Sequence, residues 1–189
     1  MVSDTSPFET LLLSPCLLPG ETSFKERKAS VKVEPQAGET ILFFHIDDQS
    51  NRGCNLRQFL WRTQTGQRMC DLMVFYAKKS DKESDKKSEP VICFVELKDN
   101  IGDLGHATEQ VINTYNTFKR HLQKNYTAKA FIYACAGSSP LEHKKYQKKL
   151  LDEFGEKNFD FNNRSNDALG DLLRGIPPKI GAGKQKNKK

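Results

Sequence analysis

The sequence has 189 residues, of which 37% are hydrophobic, and a formal net charge of +6. This length suits one domain, and no apolar run reaches the roughly 20 residues of a membrane-spanning helix, which argues against an integral membrane protein. We expect a single domain over residues 1–178 and a basic, disordered tail over residues 179–189. The positive charge is typical of a protein with a polyanionic partner.

Cysteine usage indicates the cellular compartment. The five cysteines, at positions 16, 54, 70, 93 and 135, are odd in number and contain no CxxC pair, which argues against a zinc knuckle. No signal peptide with a basic start and a cleavage site is evident. We therefore expect a soluble, intracellular protein of the cytoplasm whose cysteines are reduced.

The chain is predicted to begin with a short helix and two strands. Ser6-Pro7-Phe8-Glu9 has a capping-box pattern, in which Glu9 satisfies the helix start. Residues 29–34 alternate between apolar and polar side chains, which predicts a strand. The nearly continuous apolar run Thr40–Ile46 predicts a central strand of the sheet. Asp47, which follows it, is interpreted as a turn former, with metal ligation as the alternative.

Residues 51–68 lead into the next strand and allow two interpretations. Asn55 can cap a helix that continues to Thr63. Four arginines flank Trp61 in this segment, which suits contact with phosphates and stacking on a base. Alternatively, Trp61 belongs to the core and the arginines are solvated. The four arginines are Arg52, Arg57, Arg62 and Arg68.

Two neighbouring strands are predicted at residues 69–77 and 91–98. The highly charged segment 78–90 between them is typical of a solvated loop. Successive side chains of a strand point to opposite faces, so Glu96 and Lys98 share one face of the second strand. An apolar strand that presents two opposite charges on one side indicates that something binds there.

An antiparallel hairpin would bring a third charged group to this face. Pairing of Tyr76 with Val91 places Asp71 beside Glu96, because the sum of paired positions is constant along the hairpin. Directly opposed Cβ atoms lie about 4.5–5.5 Å apart, and two carboxylates at that distance repel each other unless a cation joins them. Mg²⁺ suits such a site, because it takes oxygen ligands and keeps several waters.

The second half is predicted to continue as helix, strand, helix, strand and helix. A helix over residues 104–124 carries one apolar stripe, with Gln110 beside it and His106 one turn earlier. The following strand should run parallel to an earlier one, because the connection is a crossover helix. The remaining predicted elements are a strand over 129–136, a helix from Ser139 to Phe154, an edge strand at 159–161 and a short helix over 167–173.

Asp71, followed on the adjacent strand by Glu96 and Lys98, resembles the motif of the PD-(D/E)xK nuclease superfamily. The order strand, strand, helix, strand over roughly residues 40–136 resembles the fold of that family as well. Cys70 stands where the family name has proline, a position that often varies. The resemblance implies an α/β protein with a central mixed β-sheet flanked by helices and a restriction-endonuclease-like αβββαβ core.

The family's helix after the catalytic strand often carries a glutamine that faces the site, which implies a role for Gln110. Some members place a tyrosine four residues later, whereas here Thr114 is at four and Tyr115 at five. Glu9 could reach the site, as a first-helix glutamate does in some relatives, although the capping box already explains that residue.

The resemblance implies a metal-dependent endonuclease that hydrolyses phosphodiester bonds in nucleic acid, with DNA favoured over RNA. Mg²⁺ would be held by Asp71, Glu96 and the backbone carbonyl of Leu97, and Mn²⁺ would substitute for it. Lys98 would orient a water or stabilise developing charge, and Gln110 would position that water or Lys98. A homodimer is one expected state, because many nucleases of this type cut duplexes as dimers.

Two other classes of function stay open at this point. One is a nucleic-acid-binding module on a nuclease-like scaffold that does not cleave. The other is a protein-interaction domain whose basic tail serves localisation.

Overall fold

The computed structural model describes residues 15–51, 60–61, 67–79, 89–119, 126–134, 140–162 and 167–177. The predicted first helix with Glu9, most of the segment 51–68 and the basic tail lie outside these residues. The strands are β1 (Leu17–Leu18), β2 (Ser23–Glu26), β3 (Ala29–Lys32), β4 (Glu39–His45), β5 (Leu72–Lys78), β6 (Val91–Lys98), β7 (Thr127–Ala134) and β8 (Phe159–Asn162). The helices are α1 (Leu104–Phe118), α2 (Pro140–Phe154) and α3 (Ala168–Arg174), and a 3-10 turn (Ile101–Asp103) precedes α1.

A six-stranded mixed sheet forms the centre of the protein, which confirms the predicted α/β class. Its strand order is β1-β4-β5-β6-β7-β8, and β2 pairs with β3 in a separate hairpin. The pairs from β1 to β6 are antiparallel, whereas β7 runs parallel to β6 and β8 runs parallel to β7. The prediction of a parallel strand after the crossover helix is therefore confirmed.

The register of β5 and β6 is the one expected for the predicted hairpin. Tyr76 pairs with Val91, and the ladder continues to Leu72 opposite Val95. The next position along each strand is Asp71 on one side and Glu96 on the other. The strand pairing therefore brings the two acids to the same end of the hairpin.

Both faces of the sheet are covered by apolar packing. One face packs against α1 and α2 through side chains such as Phe94, Val111 and Leu150. The opposite face packs against the β2–β3 hairpin and α3, with Val95 of β6 and Leu169 of α3 fully buried. Because β6 is buried on both sides, its sequence is nearly continuous in apolar residues rather than alternating.

Helix α1 follows the predicted apolar stripe, and aromatic contacts join it to its neighbours. Phe118 and Tyr115 both lie against Phe94, with ring centroids 6.0 and 5.6 Å away. Tyr115 also contacts Phe154 of α2 at 4.6 Å. Helix α2 ends before Gly155, whose φ of 83° is the left-handed conformation that glycine adopts without a steric penalty.

Three expectations about this fold need correction. The strand at 40–46 lies next to the edge of the sheet, and its outer neighbour β1 has only two residues. The helix expected to reach residue 124 ends at Phe118. Cys16 is disulfide-bonded, whereas Cys70 and Cys93 are free thiols, so the cysteines are not all reduced.

Within the described residues, no helix has both the length and the apolar character needed to cross a bilayer.

A buried ion pair ties α3 to the edge of the sheet. The Arg174 guanidinium donates from Nε to Glu39 Oε1 at 2.9 Å and from Nη2 to Glu39 Oε2 at 2.8 Å. The Tyr76 hydroxyl donates to the same carboxylate at 3.0 Å. The hydrogen bonds from Arg174 lower the pKa of Glu39 to about 2, although burial alone would raise it.

Replacing Arg174 by methionine is expected to lower the free energy of unfolding by about 2–4 kcal/mol, because a buried carboxylate is left without its cation. The pKa of Glu39 is lowered on folding, so the pair stabilises fully above its ordinary pKa of 4.5 and loses its effect as the pH falls toward 2. Urea unfolding at several pH values measures this. Lys32→Met, which breaks the exposed pair with Glu34 at 2.8 Å, should show no measurable change. Equal losses in the two variants would contradict the prediction.

Candidate functional site

Two buried carboxylates lie at the end of the β5–β6 hairpin, and each accepts a hydrogen bond from a backbone N–H group. The Asp71 N–H donates to Glu96 Oε2 at 3.0 Å. The Leu97 N–H in turn donates to Asp71 Oδ2 at 2.7 Å. Asp71 is 6% exposed and Glu96 is completely buried. The two side chains predicted to converge from neighbouring strands therefore do so.

Lys98 completes this group from the same face of β6. Its ammonium contacts Glu96 Oε1, an oxygen that has no other polar partner within the described residues. Burial alone would lower the pKa of Lys98, but the adjacent Glu96 and Asp71 carboxylates outweigh it and raise the pKa. Lys98 is therefore held in its charged form beside the acids.

Burial determines how these acids ionise. Burial, followed by repulsion from Glu96, raises the pKa of Asp71 to about 9. Burial also raises the pKa of Glu96 to about 7, even though Lys98 lowers it. Glu26, at the end of β2, raises the pKa of Asp71 further. The fold therefore favours the protonated form of Asp71 at neutral pH, and a bound cation would favour the ionised form of both carboxyl groups.

An open pocket of about 460 Å³ lies over these residues. Leu97, whose N–H holds Asp71, and Lys98, which contacts Glu96, both belong to its lining. The two buried acids therefore lie directly behind the pocket wall. The other lining residues are Glu26, Arg27, Arg68, Asp99, Asn100, Asp103, His106 and Gln110.

Helix α1 holds the three residues that precede Asp71. The Asn113 amide donates to the carbonyl of Arg68 at 2.7 Å, and the Gln110 amide donates to the carbonyl of Met69 at 2.9 Å. The N–H of Cys70 donates to Thr114 Oγ1 at 2.9 Å. Three successive backbone groups are thus fixed by one face of the helix, which sets the position of Asp71.

Gln110 lines the pocket, and its observed contact is with the backbone of Met69. Thr114, four residues later, is completely buried and accepts a hydrogen bond from the N–H of Cys70 in the same segment. Tyr115 packs in the apolar core instead. His106 lines the pocket and is exposed.

The structure decides some of the alternatives that the sequence leaves open for Trp61, the arginines and Asp47. Trp61 is 7% exposed and belongs to the core, as one interpretation predicted. Arg68 lines the pocket, and the remaining three arginines lie outside the described residues, so their contact with phosphates stays a prediction. Asp47 is not part of the pocket lining, and the acid after it accepts hydrogen bonds from the N–H and hydroxyl of Ser50, as a turn former does.

Sequence reasoning missed five lining residues. Asp99, Asn100 and Asp103 lie between β6 and α1, and Glu26 and Arg27 lie at the tip of the β2–β3 hairpin. The segment Ser23–Glu26 does alternate in exposure, but its sequence mixes one aromatic residue with polar ones and gives a weak strand signal. That this hairpin lies against the site depends on tertiary packing, which no local pattern indicates.

The donor set is compatible with a hard divalent cation. Within the described residues, no group of three or more histidine, cysteine, aspartate or glutamate side chains is arranged to hold a metal ion. Mg²⁺ is commonly held by only one or two carboxylates and keeps several waters. Asp71 and Glu96, whose pKa values are raised mainly by burial, supply the oxygen ligands that such an ion takes.

No protein-family model matches the chain, and no curated protein or solved structure matches it significantly. The site must therefore be interpreted from its own chemistry.

Thr114→Val tests how α1 holds the segment before Asp71. The variant keeps the shape of the side chain but leaves the buried Cys70 N–H without its acceptor, which should cost about 1–3 kcal/mol. Thr108→Val is the matched control, because Thr108 is equally buried and donates only to the carbonyl of Leu104 in its own helix. Urea unfolding and amide exchange of Cys70 measure the effect. A larger loss in the Thr108 variant would contradict this role of Thr114.

Asp71→Asn is expected to stabilise the protein at alkaline pH in the absence of divalent metal. A raised pKa means that folded Asp71 retains its proton while the unfolded chain loses it, so the parent becomes less stable as the pH rises from about 4 toward 9. The asparagine variant does not titrate at this position, so its free energy of unfolding should not fall in this way. Each unit of pKa shift corresponds to about 1.4 kcal/mol of that free energy.

Urea unfolding of parent and variant in a chelating buffer, from pH 5 to about pH 9, measures the difference. Asp152→Asn, on the exposed side of α2, makes the same charge change and should follow the parent. An Asp71→Asn protein that loses stability relative to the parent as the pH rises would contradict the assigned direction.

Proposed function

We propose that this protein is a metal-dependent nuclease of the PD-(D/E)xK type, which hydrolyses phosphodiester bonds in nucleic acid, DNA in preference to RNA. The observation that supports this most strongly is the convergence of Asp71, Glu96 and Lys98. These three residues come from two adjacent strands and meet behind an open pocket. The remaining residues of the site can be given roles that are consistent with this chemistry.

Asp71 and Glu96 would hold Mg²⁺, with Mn²⁺ as a substitute and the carbonyl of Leu97 as a further ligand. When bound, the ion would polarise the scissile phosphate and lower the pKa of a coordinated water. A bound cation would favour the ionised form of both carboxyl groups, which burial otherwise disfavours. The protein's contribution is to keep both carboxylates in place through the N–H groups of Asp71 and Leu97.

Lys98 would act on the substrate side of this group. Its side chain lines the pocket and is about 22% exposed, so it reaches both Glu96 and any ligand that enters. A lysine held in its charged form can orient a water or stabilise the negative charge that develops on a phosphate. Gln110 would be a positioning residue, because it fixes the carbonyl of Met69 two residues before Asp71.

A non-cleaving nucleic-acid-binding module is the second candidate. It is favoured by the direct contact between Lys98 and the completely buried Glu96, which a metal would have to rearrange. The described residues also contain no preassembled group of three metal ligands. The positive charge of the chain suits this alternative as well as the first.

Asp71→Asn and Lys98→Gln are expected to reduce cleavage by about 100-fold or more, since the first loses a ligand of the metal ion and the second a charge that acts on the reacting phosphate. Lys148→Gln, at an exposed position of α2, should keep the parent's activity. Plasmid, linear duplex, single-stranded DNA and RNA are assayed with Mg²⁺, with Mn²⁺ and with chelator, and thermal unfolding confirms that each variant is folded.

Titration of Mn²⁺ by calorimetry provides a readout that is independent of activity. The parent should bind the ion and Asp71→Asn should not. Cleavage by Asp71→Asn at the parent's rate would exclude the proposed roles. A parent that binds the oligonucleotides but cleaves none of them with either metal would favour the second candidate.

A further inference from the structure

The tip of the β2–β3 hairpin holds an arginine in an unusual backbone conformation. The last pair of the hairpin is Glu26 with Ala29, and Arg27 begins the turn between them. Arg27 is the only residue other than glycine with a positive φ in the described part of the chain, at 52°. A two-residue hairpin turn requires a positive φ at its first position, so the turn accounts for this conformation, although it is unfavourable for a residue with a Cβ atom.

The hairpin tip is fixed beside the candidate site. The N–H of Lys28 donates to Asp99 Oδ1 at 3.1 Å, which links the turn to the residue directly after Lys98. At its other end, Phe24 packs on the ring of His45 at 4.7 Å. The hairpin therefore forms one wall of the pocket, and Arg27 lies in that wall.

A second arginine lines the same pocket from a different element. Arg68 lies three residues before Asp71, and the Asn113 amide holds its backbone carbonyl at 2.7 Å. The pocket is thus lined by one arginine from the hairpin tip and one from the segment entering β5. Both segments are anchored by hydrogen bonds of their backbone, so neither arginine depends on its side chain for its position.

Arg27 and Arg68 differ from Arg174, the third arginine of the described residues, in their ion pairing. In the part of the chain that the structure describes, Arg174 is fully engaged by Glu39, whereas Arg27 and Arg68 form no ion pair with a carboxylate. Three carboxylates also line the pocket, so a polyanion would be repelled without opposing cations. The carboxylates are Glu26, Asp99 and Asp103.

We propose that Arg27 and Arg68 form a clamp that binds backbone phosphates of a nucleic acid next to the phosphate that is cleaved. The identification of the ligand as a phosphodiester chain rests on the proposed function. Guanidinium groups bind phosphate oxygens through paired hydrogen bonds, and such contacts fix the position of the chain without reading its sequence. The described lining has no Phe, Tyr or Trp on which a base could stack, which favours recognition through the phosphate backbone.

Arg27→Gly is the informative substitution at the hairpin tip. Glycine adopts a positive φ without a steric penalty, so the variant loses the guanidinium while the turn is retained, and its thermal midpoint should not fall below the parent's. Arg68→Ala removes the second guanidinium. Lys25→Ala is the matched control, because Lys25 lies on β2, is exposed and is absent from the pocket lining, yet carries the same charge.

The measurement is fluorescence anisotropy with a labelled duplex oligonucleotide in the Asp71→Asn background, which keeps the probe intact. Each clamp variant should weaken binding about 5- to 10-fold. The slope of log K against log salt concentration should become shallower by about 0.9 for each lost phosphate contact, and by about twice that in the double variant. The effect should be the same for duplexes of unrelated sequence, and Lys25→Ala should keep the slope of its background.

Two results would overturn the clamp. One is a slope in the Arg27 and Arg68 variants equal to that of Lys25→Ala, and the other is the absence of any binding. The proposed function fails separately, when the parent binds but does not cleave, and a reduced slope would then still support the clamp in a binding module. Where the parent cleaves, the clamp variants should raise KM and keep kcat within about twofold, since they lose binding that is equal in the ground and transition states.

Discussion

Two carboxylates are held together in this protein by backbone amides that act against their mutual repulsion. The N–H of Asp71 donates a hydrogen bond to the Glu96 carboxylate, and the N–H of Leu97 donates one to the Asp71 carboxylate. Each amide belongs to the end of the strand pair, so the register of β5 and β6 determines the geometry of the acids. Helix α1 then fixes the segment before Asp71, and the β2–β3 hairpin encloses the other side. The positions of the two acids therefore depend on the packing of β5, β6, α1 and the β2–β3 hairpin against one another.

The central part of this arrangement could be predicted from the sequence. A long charged segment between two apolar runs predicts a hairpin, and a constant sum of paired positions then places Asp71 beside Glu96. The alternation of side chains puts Lys98 on the same face as Glu96. These inferences use only local geometry and succeed because a one-residue change of register would turn every apolar side chain of a strand to the wrong face.

Other features depend on contacts between distant segments and could not be predicted. The apolar run of β4 predicts a strand that is covered on both faces, and it does not show how many strands lie on either side of it. β4 is next to the edge, and the strand outside it, β1, has only two residues. Thr114 looks like an ordinary helix residue until the N–H of Cys70 is placed against it. Arg27 lies at the pocket because its hairpin docks beside Asp99, and neither the turn nor the docking has a strong local signal.

A comparison of two buried acids within this protein bears on the interpretation of the site. Glu39 receives two hydrogen bonds from Arg174 and one from Tyr76, and its pKa falls to about 2. Where Glu39 links α3 to the sheet, its charge is therefore compensated by the Arg174 guanidinium. At Asp71 the same fold leaves the pKa raised to about 9 by burial and by the adjacent Glu96. A carboxyl group whose ionised form is disfavoured in this way, next to an open pocket, is a candidate for a functional site, because a bound cation would restore its charge.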